Sequence, residues 1–499
     1  MAGTEADARD AAELAQFGYA QSLERHTGKF ASFAVAFAFV SIATGIFTTY
    51  GSVLKSSGPV GIWTWPIATI GQLAVAFVLG ALASRIPVTG YHYQWMSRLA
   101  NPVLGWVIGW ISFAFLAVNV VAVDYTIAST ILPVLLNYEG TATIAWAVTA
   151  AVIAGQFLLV ALSTPWAERV NNGLVTMELV GMVALTALLF IIAAVRGGID
   201  IDNLTSKGAV AAEGFWSFGD WTSAGPWMMG FLLGAFTIVG FESAANLAEE
   251  THDPERVVPR AMVQAVIASG VLGFLFLVAV TVAAGDPVAL AESSTPIADV
   301  IHHTLGSAVA TVLLIVVVLA IFACGLVIMI TGVRVTWAMS RDERFPGWQQ
   351  WSQISPRFHT PLKAAVLYFV VAQLILAIFS QSETALFTLF GAATLLPAVM
   401  YAAAVGLYLV KRKSLPQNGK FNLGVWEIPI LVVAVVWLVF ELSLFRDSSF
   451  GQAWAYVLVT VGIGAAYLGY LMVTRGRHGL TMPTMTSIDA ELGAEAEKA

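Results

Sequence analysis

The sequence predicts an all-α polytopic membrane protein of twelve transmembrane helices, for three reasons. Of its 499 residues, 58% are hydrophobic and only 11% charged, against about 25% charged in ordinary soluble domains. Apolar stretches of about 20 residues, the length a helix needs to cross a hydrocarbon core, recur along the whole chain. Counted off alternately in and out, they leave the basic residues almost all on one side, as the positive-inside rule requires.

The stretches run approximately 30–54, 61–83, 103–135, 143–163, 171–195, 227–247, 262–284, 306–339, 363–380, 385–410, 427–445 and 454–474. Span 1 follows the polar first 29 residues, and span 2 closes at Ser84-Arg85. Span 3 carries Gly105 and Gly109 one turn apart, a spacing that favours close helix packing. Arg169 lies between spans 4 and 5, and a polar segment at 197–226 divides span 5 from span 6. Arg256 and Arg260 precede span 7, Arg341 and Lys363 lie between spans 8 and 9, and Lys411, Arg412 and Lys413 follow span 10. Arg446 follows span 11 and Arg475 ends span 12. With the N-terminus in the cytosol, only Lys55, Arg196, Lys207 and Arg446 face outward, which leaves 20 of the 24 Lys and Arg inside. Both termini are therefore expected to be cytosolic, in a multi-pass protein of the cell (plasma) membrane.

Several function classes are excluded. With 24 Lys+Arg against 31 Asp+Glu and a net charge of -7, the chain has no basic surface for the counterion release that drives nucleic-acid binding. The single cysteine, Cys324, lies in the apolar run 320–330 with no Cys or His partner at metal-ligand spacing. No disulfide, metal or cofactor is expected, and Cys324 reads as ordinary core packing. No phosphate-binding loop or Gly-x-Ser-x-Gly elbow marks an enzyme. The first 29 residues lack the features of a secretory signal. Asn203-Leu204-Thr205 is either a glycosylation sequon or a polar loop, depending on the host. His92, His302, His303 and His359 lie in or next to loops and are expected to be solvated, and the polar tail after Thr474 to be disordered.

Two spans are interrupted near their centres. In span 1, Ser41-Ile42-Ala43-Thr44-Gly45 sets two hydroxyls and a glycine in series; in span 6, Thr237-Ile238-Val239-Gly240-Phe241-Glu242-Ser243 brings a glycine, a carboxylate and a hydroxyl to mid-membrane. Backbone unwinds at that depth only where it lines a cavity or is buried in protein. Spans 1 and 6 each open a run of five, and interruptions at corresponding places in two halves point to an inverted-repeat transporter with its site at the midplane.

Four patches spread from residue 41 to 346 match a known family. They are Ala43-Thr44-Gly45-Ile46-Phe47 leading to Gly58-Pro59-Val60; Ala83-Ser84-Arg85-Ile86-Pro87-Val88-Thr89-Gly90 with Tyr93 and Trp95; Gly240-Phe241-Glu242-Ser243 through Ala248-Glu249-Glu250-Thr251 to Asp253-Pro254-Glu255-Arg256 and Pro259; and Arg334 through Ala338-Met339-Ser340-Arg341-Asp342 to Phe345-Pro346. On these the chain resembles the amino acid, polyamine and organocation permeases, most closely their branch of gamma-aminobutyrate, amino-acid and choline carriers. It departs from the family twice: Gly90-Tyr91 stands where Gly-Gly is usual, and Asp342-Glu343 where Asp-Gly is usual.

The resemblance implies a LeuT-like arrangement. Two inverted five-helix repeats at 30–195 and 227–410 would form a transport core over 30–410, with helices 11 and 12 and their preceding basic loop at 411–475 and cytosolic tails at 1–29 and 476–499. It also implies a substrate site. In the family, backbone N–H groups of unwound span 1 bind a substrate carboxylate, which falls on Ala43, Thr44 and Gly45; backbone carbonyls of spans 1 and 6 hold the ammonium, which falls on Ser41, Ile42, Phe236 and Val239. Physics agrees, because exposed helix N-termini attract anions and unpaired carbonyls attract cations. Phe236 matches an aromatic lid, and Asn119 of span 3 is placed to touch the substrate side chain or to bridge helices.

Four carboxylates fall inside the spans, where such groups are costly and face a cavity or a partner. Glu441, near the outer end of span 11, is expected to snorkel to the interface. Asp124, in the outer third of span 3, is a gate or a structural partner. Glu242 either relays a proton or is a neutral acid hydrogen-bonded to a neighbouring helix. Glu178 lies seven residues beyond Asn171, about 10 Å along span 5, where related permeases hold Lys, His or Glu near the ion place of sodium-driven relatives. Coupling is its expected role. Glu249-Glu250 and Arg256, at the cytosolic end of span 6, serve gating or plain loop solvation.

The expected function is a secondary active transporter moving a small amino acid or amine such as gamma-aminobutyrate by alternating access. A choline, ethanolamine or polyamine carrier, or an amino acid exchanger, is the alternative, since intramembrane carboxylates could pair with a cation. The expected coupling ion is a proton. A LeuT-type sodium site needs hydroxyl oxygens from span 8, and residues 312–330 contain no Ser or Thr, so the ligands a hard cation requires are missing. A carboxyl at Glu178 could load and release a proton without a metal.

Overall fold

The computed structural model describes residues 10–138, 140–162, 164–358, 360–379, 383–415 and 419–475. The start of the N-terminal tail at 1–9, His359 and the C-terminal tail 476–499 lie outside the described residues. Twelve helices are long and apolar enough to cross a membrane: Lys29–Ser57, Pro59–Arg85, Pro102–Leu136, Ala142–Leu162, Pro165–Val195, Pro226–Glu250, Pro254–Val282, Ser307–Arg341, Leu362–Phe379, Leu389–Lys411, Gly424–Leu444 and Ser448–Arg475. They match the twelve expected spans one for one. No strand occurs among the described residues, only an isolated bridge between Thr27 and Thr251.

The helices of spans 5 and 7 begin at Thr164 and Pro254, about two turns before the apolar runs at 171 and 262. A polar first turn ends an apolar run but not a helix, and Pro254 suits the first helical position, where its missing N–H costs nothing.

Spans 1 and 6 are both broken. Span 1 consists of the helices Lys29–Val40 and Ile42–Ser57, joined at Ser41, whose backbone takes φ 37° and ψ 91°. In span 6 the helix Leu232–Thr237 ends at Ile238, Gly240 takes φ 79°, and the chain continues as the 3-10 helix Phe241–Glu250. A Cβ on Gly240 would stand 1.8 Å from the Phe39 ring, so glycine is needed there for both the left-handed backbone and the approach of span 1.

Spans 1 and 6, 2 and 7, 3 and 8, and 4 and 9 pack against each other, each pair five apart in order. The apolar windows of spans 1, 3 and 6 are 89% buried, whereas those of spans 4, 5, 9, 11 and 12 are 28% buried. The interior therefore lies at spans 1, 3 and 6, and the outer spans keep an apolar face for lipid.

Two expectations need correction, and one open alternative is decided. His92 is fully buried between Tyr91, Trp95 and Tyr401 at centroid distances of 4.7, 5.2 and 5.7 Å; burial pushes its imidazole down to about 3, because the short helix Tyr91–Leu99 tucks under the bundle. Glu441 does not reach the interface: it is fully buried and accepts from Gln72 Nε2 at 3.3 Å, since its face of span 11 packs on span 2. The Asn203 side chain is spent on the Thr281 and Gly285 carbonyls at 3.3 and 3.1 Å and is 4% exposed, so the acceptor asparagine of the sequon is buried and the segment stands as a plain loop.

Candidate functional site

Ser41 leaves the first helix of span 1 and caps the second. Its Oγ accepts the Thr44 N–H at 3.3 Å and lies 2.7 Å from Thr44 Oγ1, which satisfies an amide that the break would orphan. Span 6 closes its break through span 10: the Gly240 N–H donates to the Tyr401 hydroxyl at 2.9 Å, and that hydroxyl donates to Glu242 Oε2 at 2.6 Å.

Between the two breaks lies a cavity of about 10 Å³, room for about one water. Thr44, Gly45, Asn119, Phe236 and Val239 meet around it, with Val123, Thr237 and Cys324. Ser41, Ile42 and Ala43 do not line it: the Ser41 hydroxyl lies 3.4 Å from Glu178 Oε1, the Ala43 amide turns to the same carboxylate, and Ile42 is packed in the core. Cys324 is the residue that sequence reasoning missed. Its thiol donates to the Phe39 carbonyl of span 1 at 3.3 Å. It is the only side chain with a polar hydrogen between 312 and 330, a signal that could have singled it out. Thr237 is the other, and its Oγ1 would stand 2.1 Å from a Cβ on Gly45.

Phe236 also borders a second cavity of about 240 Å³ on the side away from Lys29, walled by the hydroxyls of Thr48, Thr49, Ser52 and Ser56. Its ring stands edge-on to Phe390 of span 10, with centroids 5.4 Å apart at 83°. Phe236 thus separates a polar vestibule from the small centre.

None of the four intramembrane carboxylates lines the central cavity. Glu178 is fully buried against the first turn of Ile42–Ser57, and its Oε2 has no partner among the described residues. Asp124 accepts from Gln156 of span 4 at 2.8 Å and lies against Gly325 of span 8, where a Cβ would come within 2.3 Å of its Oδ1. Glu242 bonds the neighbouring span 10 through Tyr401.

The face at Lys29 is closed by residues of three sequence patches. Glu249 takes Arg341 at 2.8 and 3.1 Å and the Thr89 N–H at 3.0 Å; Glu250 takes Arg334 at 2.6 and 3.0 Å. The Asn246 side chain bridges the Gly90 N–H and the Thr331 carbonyl at 2.8 and 2.7 Å. Glu249 and Glu250 are therefore buried ion-pair partners, while the Arg256 side chain is 52% exposed. The two departures from the family pattern, Tyr91 and Glu343, sit at φ 24° and 59°, backbone that favours glycine and costs another residue about 1 kcal/mol.

The N-terminal segment is not a free tail over its described part. Residues 10–15 form a helix, and the chain after it crosses the closed face. Tyr19 donates to Asp342 at 2.9 Å under the Arg341 guanidinium, 3.8 Å from its ring, and the His26 and Thr27 amides donate to the Glu250 carbonyl at 3.0 and 2.9 Å. His26 Nε2 lies 3.0 Å from Glu168 Oε2. Burial opposes a charge on His26, but the Glu168 hydrogen bond and the charges of Glu250 and Glu168 outweigh it and hold the imidazole above its ordinary value. This contribution is fully present below the unfolded value, about 6.5, and is lost as pH rises through the folded one. After correction for intrinsic rates, amide exchange at His26, Thr27 and His252, whose N–H donates to the Thr27 carbonyl at 3.1 Å, should accelerate on the order of fivefold on going alkaline, and His26→Gln should remove that pH dependence. A profile unchanged by the substitution would refute the linkage.

Twelve membrane-crossing helices, two of them broken around a shared cavity beneath a polar vestibule, define a membrane carrier. The chain belongs to the amino acid permease family, whose sequence pattern matches residues 28–466; it is an amino acid transporter and not an enzyme. It is 25% identical to Amino-acid permease BAT1 of Arabidopsis thaliana, over 94% of this chain and 95% of that protein. It is 26% identical to Amino-acid permease 2 of Neurospora crassa, over 94% and 88%, and 24% identical to the GABA-specific permease of Saccharomyces cerevisiae, over 86% and 77%.

Proposed function

We propose that the chain is a proton-coupled secondary transporter carrying a small amino acid such as gamma-aminobutyrate across the plasma membrane by alternating access, with both termini cytosolic. The observation that carries this reading is the juxtaposition at the span 1 break. There the buried Glu178 carboxylate meets the first turn of Ile42–Ser57, and span 8 presents the Cys324 thiol to the Phe39 carbonyl. A carboxylate at that place can take up a proton, and a thiol is a poor ligand for a hard cation. The pairing of spans five apart supports a LeuT-like inverted repeat of 30–195 and 227–410. The basic bias towards the Lys29 face supports a cytosolic assignment for it. The ion pairs closing that face, with the vestibule on the other, support a state facing outward.

The central cavity favours a substrate that brings its own carboxylate. Choline, ethanolamine or a polyamine would need an acidic wall, and none of Asp124, Glu178 and Glu242 supplies one. A relative named as a GABA-specific permease supports the same substrate class. The test is uptake of labelled gamma-aminobutyrate, alanine and choline into proteoliposomes with pH and voltage gradients imposed separately. An inward proton gradient should accumulate an amino acid without sodium, and choline should not compete. Sodium-dependent uptake, or competition by choline, would overturn the proposal.

A further inference from the structure

We propose that the groove between the first half of span 1 and span 7 binds an anionic phospholipid of the leaflet on the Lys29 side, its phosphate among Lys29, Arg256 and Arg260. Two adjoining hollows make the groove. One, of about 130 Å³, is lined by these three cations and Gln264. The other, an open trough of about 540 Å³, continues past Lys29 and Gln264 along Phe30, Phe33, Ile267 and Ala268. Lys29 and Gln264 belong to both, so the cationic end and the apolar end form one surface.

The order of residues along span 7 is that of a lipid. Arg256, Arg260, Gln264 and Ala268 recur every four residues, so one helix face passes from two cations through an amide to an apolar wall. The distance covered, about 18 Å at helical rise, is comparable to one leaflet. Among the described residues only Arg256 of the three cations approaches a carboxylate, Asp253 at 4.0 Å, and Asp253 is already engaged by Lys420 at 2.9 Å. Gln264 is exposed near the start of the apolar run of span 7, and a polar side chain that faces lipid is costly without a partner; the glycerol esters of a lipid whose phosphate sits one turn nearer the headgroups supply one. A sterol brings no phosphate to the three cations, a zwitterionic lipid sets a further cation beside them, and a free anion leaves the apolar trough empty. Basic pockets between membrane helices at the headgroup level suit anionic headgroups. Phe30 and Phe33 belong to the half-helix that ends at Ser41, so an occupant bears on the segment that shapes the central site.

The test is native mass spectrometry of the detergent-purified chain with phosphatidylglycerol or phosphatidylcholine of identical acyl chains. A single phosphatidylglycerol should be retained in preference to phosphatidylcholine. Lys29→Gln/Arg256→Gln/Arg260→Gln should weaken retention about fivefold per cation removed, with Arg260→Gln alone standing in if the triple variant is unstable. Ala268→Trp should block retention with every charge in place, and Lys411→Gln/Arg412→Gln/Lys413→Gln should leave it unchanged. Equal retention of the two lipids, or full retention by the cation variants or by Ala268→Trp, would overturn the proposal. Displacement by glycerol phosphate as effective as by phosphatidylglycerol would also overturn it, in favour of a free-anion site.

Discussion

Glu178→Gln should abolish accumulation driven by an inward proton gradient while leaving exchange of substrate across the membrane measurable. The Glu178 carboxylate is fully buried at the first turn of the second half of span 1, with one oxygen 3.4 Å from the Ser41 hydroxyl and the other without a partner among the described residues. In the deprotonated form its charge pulls on that turn, and in the protonated form it does not, so one proton can bias the break between two arrangements. Glutamine has nearly the same shape and is permanently neutral, so it holds the proton-bound arrangement and uncouples it from pH. With one proton per substrate, a gradient of one pH unit supports about tenfold accumulation. The unmodified chain should approach that value, and Glu178→Gln should give none while counterflow of labelled substrate persists. Unchanged accumulation in the variant would remove Glu178 from the coupling step.

Gly45→Leu should eliminate transport, and the structure separates two reasons for it. Gly45 lines the central cavity, so a side chain takes room from a substrate. Its Cβ position also lies 2.1 Å from Thr237 Oγ1 and 2.5 Å from Thr237 Cβ, so even alanine forces spans 1 and 6 apart, an overpacking cost of about 1–3 kcal/mol. Gly45→Ala should therefore lose most transport alone and regain it with Thr237→Gly, which clears the collision. Gly45→Leu should stay inactive in both backgrounds while eluting as folded protein on size exclusion. Recovery of Gly45→Leu by Thr237→Gly would show that contact between the two spans, and not substrate space, is what Gly45 protects.

The twelve spans were legible because the property that makes a span, a run of apolar residues, is local. The breaks in spans 1 and 6 were legible for a related reason: Ser41, Gly45 and Gly240 are conspicuous in hydrophobic runs, and each has a conformational or packing task. The patches around Thr89, Glu249 and Arg341 could be recognised, yet their convergence in one cluster belongs to the folded chain, since 160 and 92 residues separate Glu249 from its two partners.

The membrane class, the count of spans and the places where two of them unwind are written in the order of residues, because hydrophobic length and backbone permissiveness are properties of short segments. Which polar groups face each other is settled only on folding: Cys324 onto the Phe39 carbonyl, Asp124 onto Gln156, Glu441 onto Gln72, His92 into an aromatic nest and the N-terminal segment across the closed face. In a span that is apolar nearly all round, hydropathy has almost no direction, so the sequence does not reveal which side of the helix turns inward. That choice is made by close packing between spans and by the need of each buried polar atom for a partner.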